Sequence, residues 1–136
     1  MAKDFHLSVV APDRSVVEEN VASVVAPGIE GYFGVLAGHT PLVAALKPGM
    51  VEYSDTSGNR HFIYVGGGFA EIRGDRVTVL ADEAARANEI DVAQAEHRLE
   101  EARKALRGEN SSITSENAVV EIERAMSRIR AARSGR

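Results

Sequence analysis

The sequence predicts an α+β chain that is mainly β at its N-terminus: an antiparallel β-sandwich or flattened barrel, followed by a C-terminal antiparallel hairpin of two helices. All seven aromatic residues lie before residue 70 and all four prolines before residue 49. Beyond residue 81 the chain is rich in Ala, Glu, Arg and Leu. Aromatic and β-branched residues favour sheet, whereas Ala, Glu, Arg and Leu favour helix. We therefore place the sandwich at residues 1–84 and the helical hairpin at residues 85–136.

The N-terminal half is predicted to form short strands that are separated by turns. Phe5, Leu7 and Val9 recur at every second position, the pattern of a half-buried strand. Residues 55–59 predict a hairpin turn, and the pair at 74–75 predicts a tight two-residue connection. Such closely spaced strands are typical of an antiparallel sandwich. The predicted strands cover residues 5–10, 16–25, 32–36, 42–46, 50–53, 60–65, 69–73 and 76–80.

Two apolar stripes with helical spacing follow. Gly108 is predicted to end the first helix in a left-handed cap, and Thr114 or Ser115 to begin the second. Because the stripes are thin and Ala-rich, their burial contributes only a few kcal/mol at ~25 cal/mol/Å², so we expect a hairpin that can detach from the sandwich, or open, without unfolding the rest. The stripes are Val92, Ala95, Leu99, Ala102 and Leu106 in the first helix, and Ala118, Ile122, Ala125, Ile129 and Ala132 in the second.

Composition argues against several classes of function. The net charge is −4, which disfavours a nucleic-acid partner, and the chain has no cysteine. Its first residues lack the apolar core of a secretion signal, and its longest apolar run is about six residues, against ~20 for a membrane span. We therefore expect a cytoplasmic chain that does not itself insert into a membrane.

The sequence offers no catalytic or metal site. The four histidines are scattered without ligand spacing, and no nucleophile elbow is present. Residues 66–68 are three glycines followed by a strand rather than a helix, which favours a kink or a close backbone approach over a phosphate loop. We expect no catalytic residue, no metal and no cofactor. The histidines are His6, His39, His61 and His97.

Charged residues cluster in two places. An acidic group at Asp82, Glu83, Glu89 and Asp91 is explained by the favourable field at the start of the first helix. From residue 124 to residue 136 there are five arginines and no acid. This basic end is either a solvated face or a surface that docks on acidic protein or grips phosphate. The arginines are Arg124, Arg128, Arg130, Arg133 and Arg136.

Residues 28–42, with glycines at 28, 31, 34 and 38 and a His-Thr-Pro-Leu ending, closely resemble the signature of the epsilon subunits of bacterial and chloroplast F-type ATP synthases. Residues 47–50, 66–69 and 77–82 continue the likeness, which extends over essentially the whole chain. The resemblance implies a β-sandwich and a two-helix hairpin, in that order. It also implies a non-catalytic rotor subunit of the central stalk, which couples proton translocation to ATP synthesis.

The same resemblance implies partners and regulation. The partners would be the gamma subunit, the c-subunit ring and, when the hairpin extends, the alpha and beta subunits of the catalytic head. Extension would block ATP hydrolysis. The subunit would lie peripherally at the cytoplasmic face of the bacterial membrane, or at the thylakoid membrane if plastid-encoded. The residues expected to face partners are Glu30, Tyr32 and His39 on the sandwich, and Arg124, Arg128, Arg130 and Arg133 in the inhibitory hairpin.

Some members of that family bind ATP through a motif Ile/Leu-Asp-x-x-Arg-Ala and arginines of the second helix. Here Gln94 stands where the motif has arginine, so the resemblance implies weak ATP binding or none. A free-standing nucleotide sensor is the alternative function, and an independent enzyme has no site to support it. The matching positions are Ile90, Asp91, Ala95, Arg124 and Arg128.

Overall fold

The computed structural model describes residues 3–135, and Arg136 of the predicted basic end lies outside that range. The strands are β1 (Phe5–Ala11), β2 (Arg14–Gly28), β3 (Gly31–Leu36), β4 (Leu42–Asp55), β5 (Arg60–Arg73), β6 (Arg76–Ala81) and β7 (Ala84–Arg86). A short 3-10 helix at Ala87–Glu89 leads to the helices α1 (Val92–Leu106) and α2 (Ser115–Ser134).

The strands close into a flattened barrel, which confirms the predicted fold class. The sheet order is β1-β6-β5-β4-β2-β3, β1 also pairs with β2, and β7 pairs with β5. All these pairs are antiparallel except β1 with β6. The closed ring consists of β1, β2, β4, β5 and β6, and an odd number of strands cannot alternate in direction all the way round. One parallel pair is therefore a consequence of closure.

The division into eight short strands was wrong at two places. Residues 42–46 and 50–53 belong to one strand, β4, and residues 60–65 and 69–73 to one strand, β5. The ladder between β4 and β5 continues through the break, with Pro48 opposite Gly66 and Leu46 opposite Gly68. Proline and glycine signal a turn in the sequence, but here they bend two long paired strands so that both continue round the barrel.

The barrel and the hairpin have separate apolar cores. The barrel core is made entirely of sandwich residues, with Leu7, Val21 and Val79 fully buried among them. The hairpin cluster consists of Ala102, Ala105 and Ala118 with Ile113 and Ile122 packed against it. No buried apolar cluster of the described residues spans the two modules. Whatever holds the hairpin against the sandwich must therefore be something other than a shared core.

Caps confirm the predicted end of α1 at Gly108 and the predicted start of α2 at Thr114, and they add a start of α1 at Asp91. Asp91 accepts a hydrogen bond from the backbone N–H of Gln94, and Thr114 accepts one from that of Asn117. Gly108 follows α1 with φ +79°, the left-handed conformation that stops a helix. The α2 stripe packs as predicted, whereas the α1 stripe ends on buried Ala105 and leaves Leu106 exposed.

We expect Gly68→Ala to destabilise the barrel far more than Gly74→Ala. Gly68 has φ +136°, and a Cβ there would lie 2.0 Å from the carbonyl oxygen of Leu80. Backbone strain and overpacking together give a loss of about 2–6 kcal/mol in the free energy of unfolding. Gly74 also has a positive φ but open space around its Cα, so its variant should lose about 1 kcal/mol. Urea unfolding measures both, and equal losses would contradict the close approach.

Asp55 makes the stability depend on acid pH. Its carboxylate accepts backbone N–H bonds from Ser57 and Asn59 and lies 2.9 Å from the His61 ring nitrogen. The His61 contact, with those backbone bonds, lowers the pKa of Asp55 to about 2. A lowered carboxyl pKa contributes stability above the unfolded-state pKa, and this contribution is lost as the pH falls through the folded-state value.

Asp55→Asn should therefore flatten the dependence of unfolding free energy on pH between about pH 4 and pH 2. Urea unfolding at a series of pH values measures the slope. The wild-type chain should lose stability more steeply over that interval than the variant. An identical slope in both chains would show that the Asp55 contacts do not hold in solution.

Candidate functional site

A polar assembly of five residues joins α2 to the sandwich, and we call it the docking cluster: Tyr64, Gly66, Glu83, Arg124 and Arg128. Arg128 donates a hydrogen bond of 2.6 Å to Glu83 Oε1, and Tyr64 Oη donates one of 2.7 Å to the same oxygen. The Arg128 guanidinium also lies over the Tyr64 ring, 4.8 Å from its centroid. Arg124 Nε donates to the Gly66 carbonyl at 3.3 Å and lies 3.9 Å from Glu83 Oε1.

The environment of the docking cluster strengthens these contacts. Only 13% of the Arg128 side chain is exposed, and Tyr64 is buried. Burial, followed by the bond to Glu83, raises the pKa of Tyr64 well above its ordinary value, so the hydroxyl remains a donor at every physiological pH. A charge-assisted hydrogen bond is stronger in such partly dry surroundings than on an open surface.

The rest of the α2 docking face is made of small residues. Helical periodicity places Ser127, Ala131 and Gly135 on the same side as the two arginines of the docking cluster. Ser127 and Ala131 are buried, and a Cβ on Gly135 would meet the Cβ of Ala87 at 2.3 Å. Small side chains allow the helix to approach the strands closely but contribute little apolar area. The docking cluster therefore carries most of the specific attraction between the modules.

The predicted basic end divides into two groups in the structure. Arg124 and Arg128 face the sandwich, whereas Arg130 and Arg133 are exposed and line an open groove of about 480 Å³ between α1 and α2. Arg133 lies 3.6 Å from Glu96 of α1. In this position of the hairpin, the second group is open to a partner, whereas only 25% of the Arg124 side chain and 13% of the Arg128 side chain are exposed.

The acidic group of residues 82–91 is not the helix-start cluster that its sequence suggested. Only Asp91 caps α1. Glu83 binds the arginines of α2, and Glu89 binds Arg14 of β2 through two contacts of 2.6 and 3.2 Å. The pairing of β7 with β5 separates Glu83 from the helix, so its carboxylate lies against the sandwich. Glu89 also accepts the backbone N–H of Arg86 at the start of the 3-10 helix, so the explanation by helix start was wrong for Glu83 only.

Sequence reasoning missed Glu83 and Tyr64 as site residues, although it predicted a close approach at residues 66–68. That approach is confirmed: a Cβ on Gly66 would lie 2.7 Å from Tyr64 Oη and 3.0 Å from Glu83 Oε1. The triple glycine was thus the available signal. It marked the position where side chains of the docking cluster meet the backbone.

The positions matched to the nucleotide motif lie on the linker and the first turns of α1, whereas the two arginines lie on α2. Asp91 uses its carboxylate to cap α1, Ala95 is buried, and Gln94 is exposed. Among residues 3–135, no described hydrogen bond or ion pair joins Ile90, Asp91 or Ala95 to the two arginines of the docking cluster.

A second candidate surface is an apolar row on the outside of the barrel, which we call the apolar face: exposed Ile29, Phe69 and Leu80 with partly buried Ala45 and Val10. Register places Ala45 opposite Phe69, Phe69 opposite Leu80, and Leu80 opposite Val10. The Ile29 N–H donates to the carbonyl oxygen of Ala45, which brings Ile29 to the end of the row. Phe69 is 57% and Leu80 56% exposed. Large exposed apolar side chains in one contiguous row mark an interaction surface.

The three sandwich residues predicted to face partners lie at two different places. Glu30 and Tyr32 line a groove of about 530 Å³ that adjoins the apolar face. The Tyr32 hydroxyl accepts a bond of 3.2 Å from the Met50 backbone N–H. His39 follows β3 and lies in another hollow, near the turn between β5 and β6. All three have exposed or partly exposed side chains.

Two negative findings concern residues 3–135 alone. No group of three or more His, Cys, Asp or Glu side chains is arranged there to hold a metal ion. Neither helix in that range is long and apolar enough to cross a bilayer.

Comparison with known proteins covers both modules. A family model described as "ATP synthase, Delta/Epsilon chain, beta-sandwich domain" matches residues 4–87, and one described as the "long alpha-helix domain" of the same chain matches residues 88–133. The ATP synthase epsilon chain of Nitratidesulfovibrio vulgaris strain DP4 is 40% identical over 130 residues, 96% of each chain. That of Desulfosudis oleivorans is 44% identical over 106 residues, 78% of this chain and 80% of the relative.

Two solved assemblies contain similar folds. A chain in the Euglena gracilis mitochondrial ATP synthase, in an assembly of OSCP, F1 and c-ring, superposes with a TM-score of 0.80 at 28% identity. The match covers 91% of this chain and 78% of that one. A chain in the central stalk and c-ring of the Tetrahymena thermophila enzyme gives 0.58 at 13% identity, covering 97% and 96%, which shows a shared fold alone.

Proposed function

Because the chain belongs to the ATP synthase delta/epsilon family, we propose that it is a non-catalytic rotor subunit of the central stalk, whose helical hairpin inhibits ATP hydrolysis when it leaves the sandwich. The observation that carries the proposal is the separation of the two cores. A module with its own core can move away as a unit without exposing the core of the other.

The sandwich is proposed to be the permanent anchor, over residues 1–84. Its apolar face and the adjoining groove with Glu30 and Tyr32 would bind the gamma subunit and the c-subunit ring. Exposed aromatic and aliphatic side chains at the centre of an interface supply most of its binding energy. Such binding would hold the chain peripherally at the membrane, on the cytoplasmic side in a bacterium, and would let it rotate with gamma as proton flow is coupled to ATP synthesis.

The hairpin, over residues 85–136, is proposed to be the brake. Undocking would free Arg124 and Arg128 from the sandwich and add them to Arg130 and Arg133, which are already exposed. Four arginines on one helix could then bind acidic surfaces of the alpha and beta subunits in pairs of charge-assisted hydrogen bonds. Docking hides half of this set, so the folded hairpin is proposed to be the form that permits hydrolysis.

The test is ATP hydrolysis by an alpha–beta–gamma head that lacks this subunit, titrated with the full chain and with a chain ending at Ala87. We expect the full chain to bind and to reduce turnover. The shortened chain should bind equally well without inhibiting, because the barrel core lies wholly within the part it retains. If both chains bind and neither inhibits, the hairpin is not a brake.

A matched control separates binding from inhibition. Phe69→Ser removes an exposed ring from the apolar face without touching the barrel core. As an interface anchor, Phe69 should be worth about 2 kcal/mol, so the variant should bind the head about 30-fold more weakly. It should inhibit fully once saturating amounts are added. Unchanged affinity would mean that the partner surface lies elsewhere on the sandwich.

A further inference from the structure

We propose that Glu83 is a resident anion that occupies the arginine pair Arg124–Arg128 and closes it to the phosphates of a nucleotide. The docked hairpin of this chain is then held by its own carboxylate and does not respond to ATP. The inference deepens the proposed function, in which the docked hairpin permits ATP hydrolysis. Its regulatory meaning rests on that proposed function. The contacts on which it depends all lie within this chain, so they can be tested on the isolated protein.

The charge of the arginine pair is already balanced in part by the Glu83 carboxylate. Two guanidinium groups held near one another attract an anion, and Glu83 Oε1 supplies it at 2.6 Å from Arg128 and 3.9 Å from Arg124. The same oxygen accepts the Tyr64 hydroxyl. A phosphate entering this position would have to expel the carboxylate and would then lie beside its negative charge, which like-charge repulsion opposes.

The sandwich side of the arginine pair is closely packed. Gly66 has no side chain, and a Cβ there would already lie 3.0 Å from Glu83 Oε1. The Gly66 carbonyl takes the Nε donor of Arg124, and the Tyr64 ring covers one face of the Arg128 guanidinium. The approaches to both arginines from the sandwich are therefore occupied by this chain's own groups.

The charged and polar residues of α1 also affect how an anion would bind near the arginine pair. Gln94 is neutral and exposed on the first turn of α1, and the Asp91 carboxylate is bound to its backbone N–H. Arg98 of α1 lies 4.0 Å from Glu121, a carboxylate that is also 3.7 Å from Arg128. Each of the three arginines Arg98, Arg124 and Arg128 thus has a carboxylate of this chain within 4.0 Å, and Glu121 is a second acidic group beside the pair that would repel a phosphate.

The experiment measures how often the docking face opens. The chain has no cysteine, so Ser127→Cys places a single thiol of nearly the same size on the buried face of α2. The rate at which a thiol reagent labels the full-length S127C chain reports undocking. We expect Glu83→Gln in this background to raise that rate about tenfold or more, since a charged hydrogen-bonded contact is lost. ATP should leave the labelling rate of the S127C chain unchanged.

The control is Glu123→Gln, which removes the same charge from an exposed position of α2 outside the docking cluster. It should label at the rate of the S127C parent. Slower labelling of the parent in ATP would overturn the inference, because a nucleotide would then be closing the site. Equal rates for Glu83→Gln and Glu123→Gln would overturn it as well. Neither result depends on the catalytic head, so failure here is distinct from failure to inhibit hydrolysis.

Discussion

The interaction on which we propose that the position of the hairpin depends is the contact of one carboxylate, that of Glu83, with Arg128. The barrel and the hairpin bury their apolar residues separately, and the surface between them is lined by small side chains. Such a surface permits close approach but gives little free energy by itself. The contact of Glu83 with Arg128, supported by Tyr64 and by Arg124, supplies the directional attraction. Charged contacts are more easily exchanged for other charged contacts than an apolar core is, which agrees with the change of partners that we propose for the hairpin.

The barrel is arranged so that this carboxylate meets the helix. β4 and β5 bend together at Pro48 and the triple glycine, and β7 adds to β5 beside the bend. The backbone N–H of Gly66 donates to the carbonyl oxygen of Glu83, which fixes the carboxylate next to Tyr64. On the far side of the linker, Arg14 holds Glu89 against the sandwich. The chain is thus tied to the barrel up to Glu89, so the movement that we propose would be confined to the helices beyond it.

Local patterns in the sequence predicted the fold well but not the docking cluster. Alternating apolar residues and helical stripes are local features, so they located most strands, both helices and the caps at Gly108 and Thr114. The bent strands were divided because proline and glycine give the same signal at a bend as at a turn. The ion pair of Glu83 with Arg128 joins residues 45 positions apart, and no periodicity connects them. The acidic run around Glu83 had a sufficient local explanation, which the tertiary structure replaced.

The distance between the sandwich and α2 in the full-length chain tests most directly whether the contact of Glu83 with Arg128 keeps the hairpin docked. Spin labels on Thr56→Cys, in the turn between β4 and β5, and on Glu123→Cys of α2 would report it, since both positions are exposed and the chain has no other cysteine. The account predicts one narrow distance distribution, and a second population of longer distances once Arg128→Gln is introduced. The same narrow distribution in both chains would contradict it, because the hairpin would then remain docked without the charged contact.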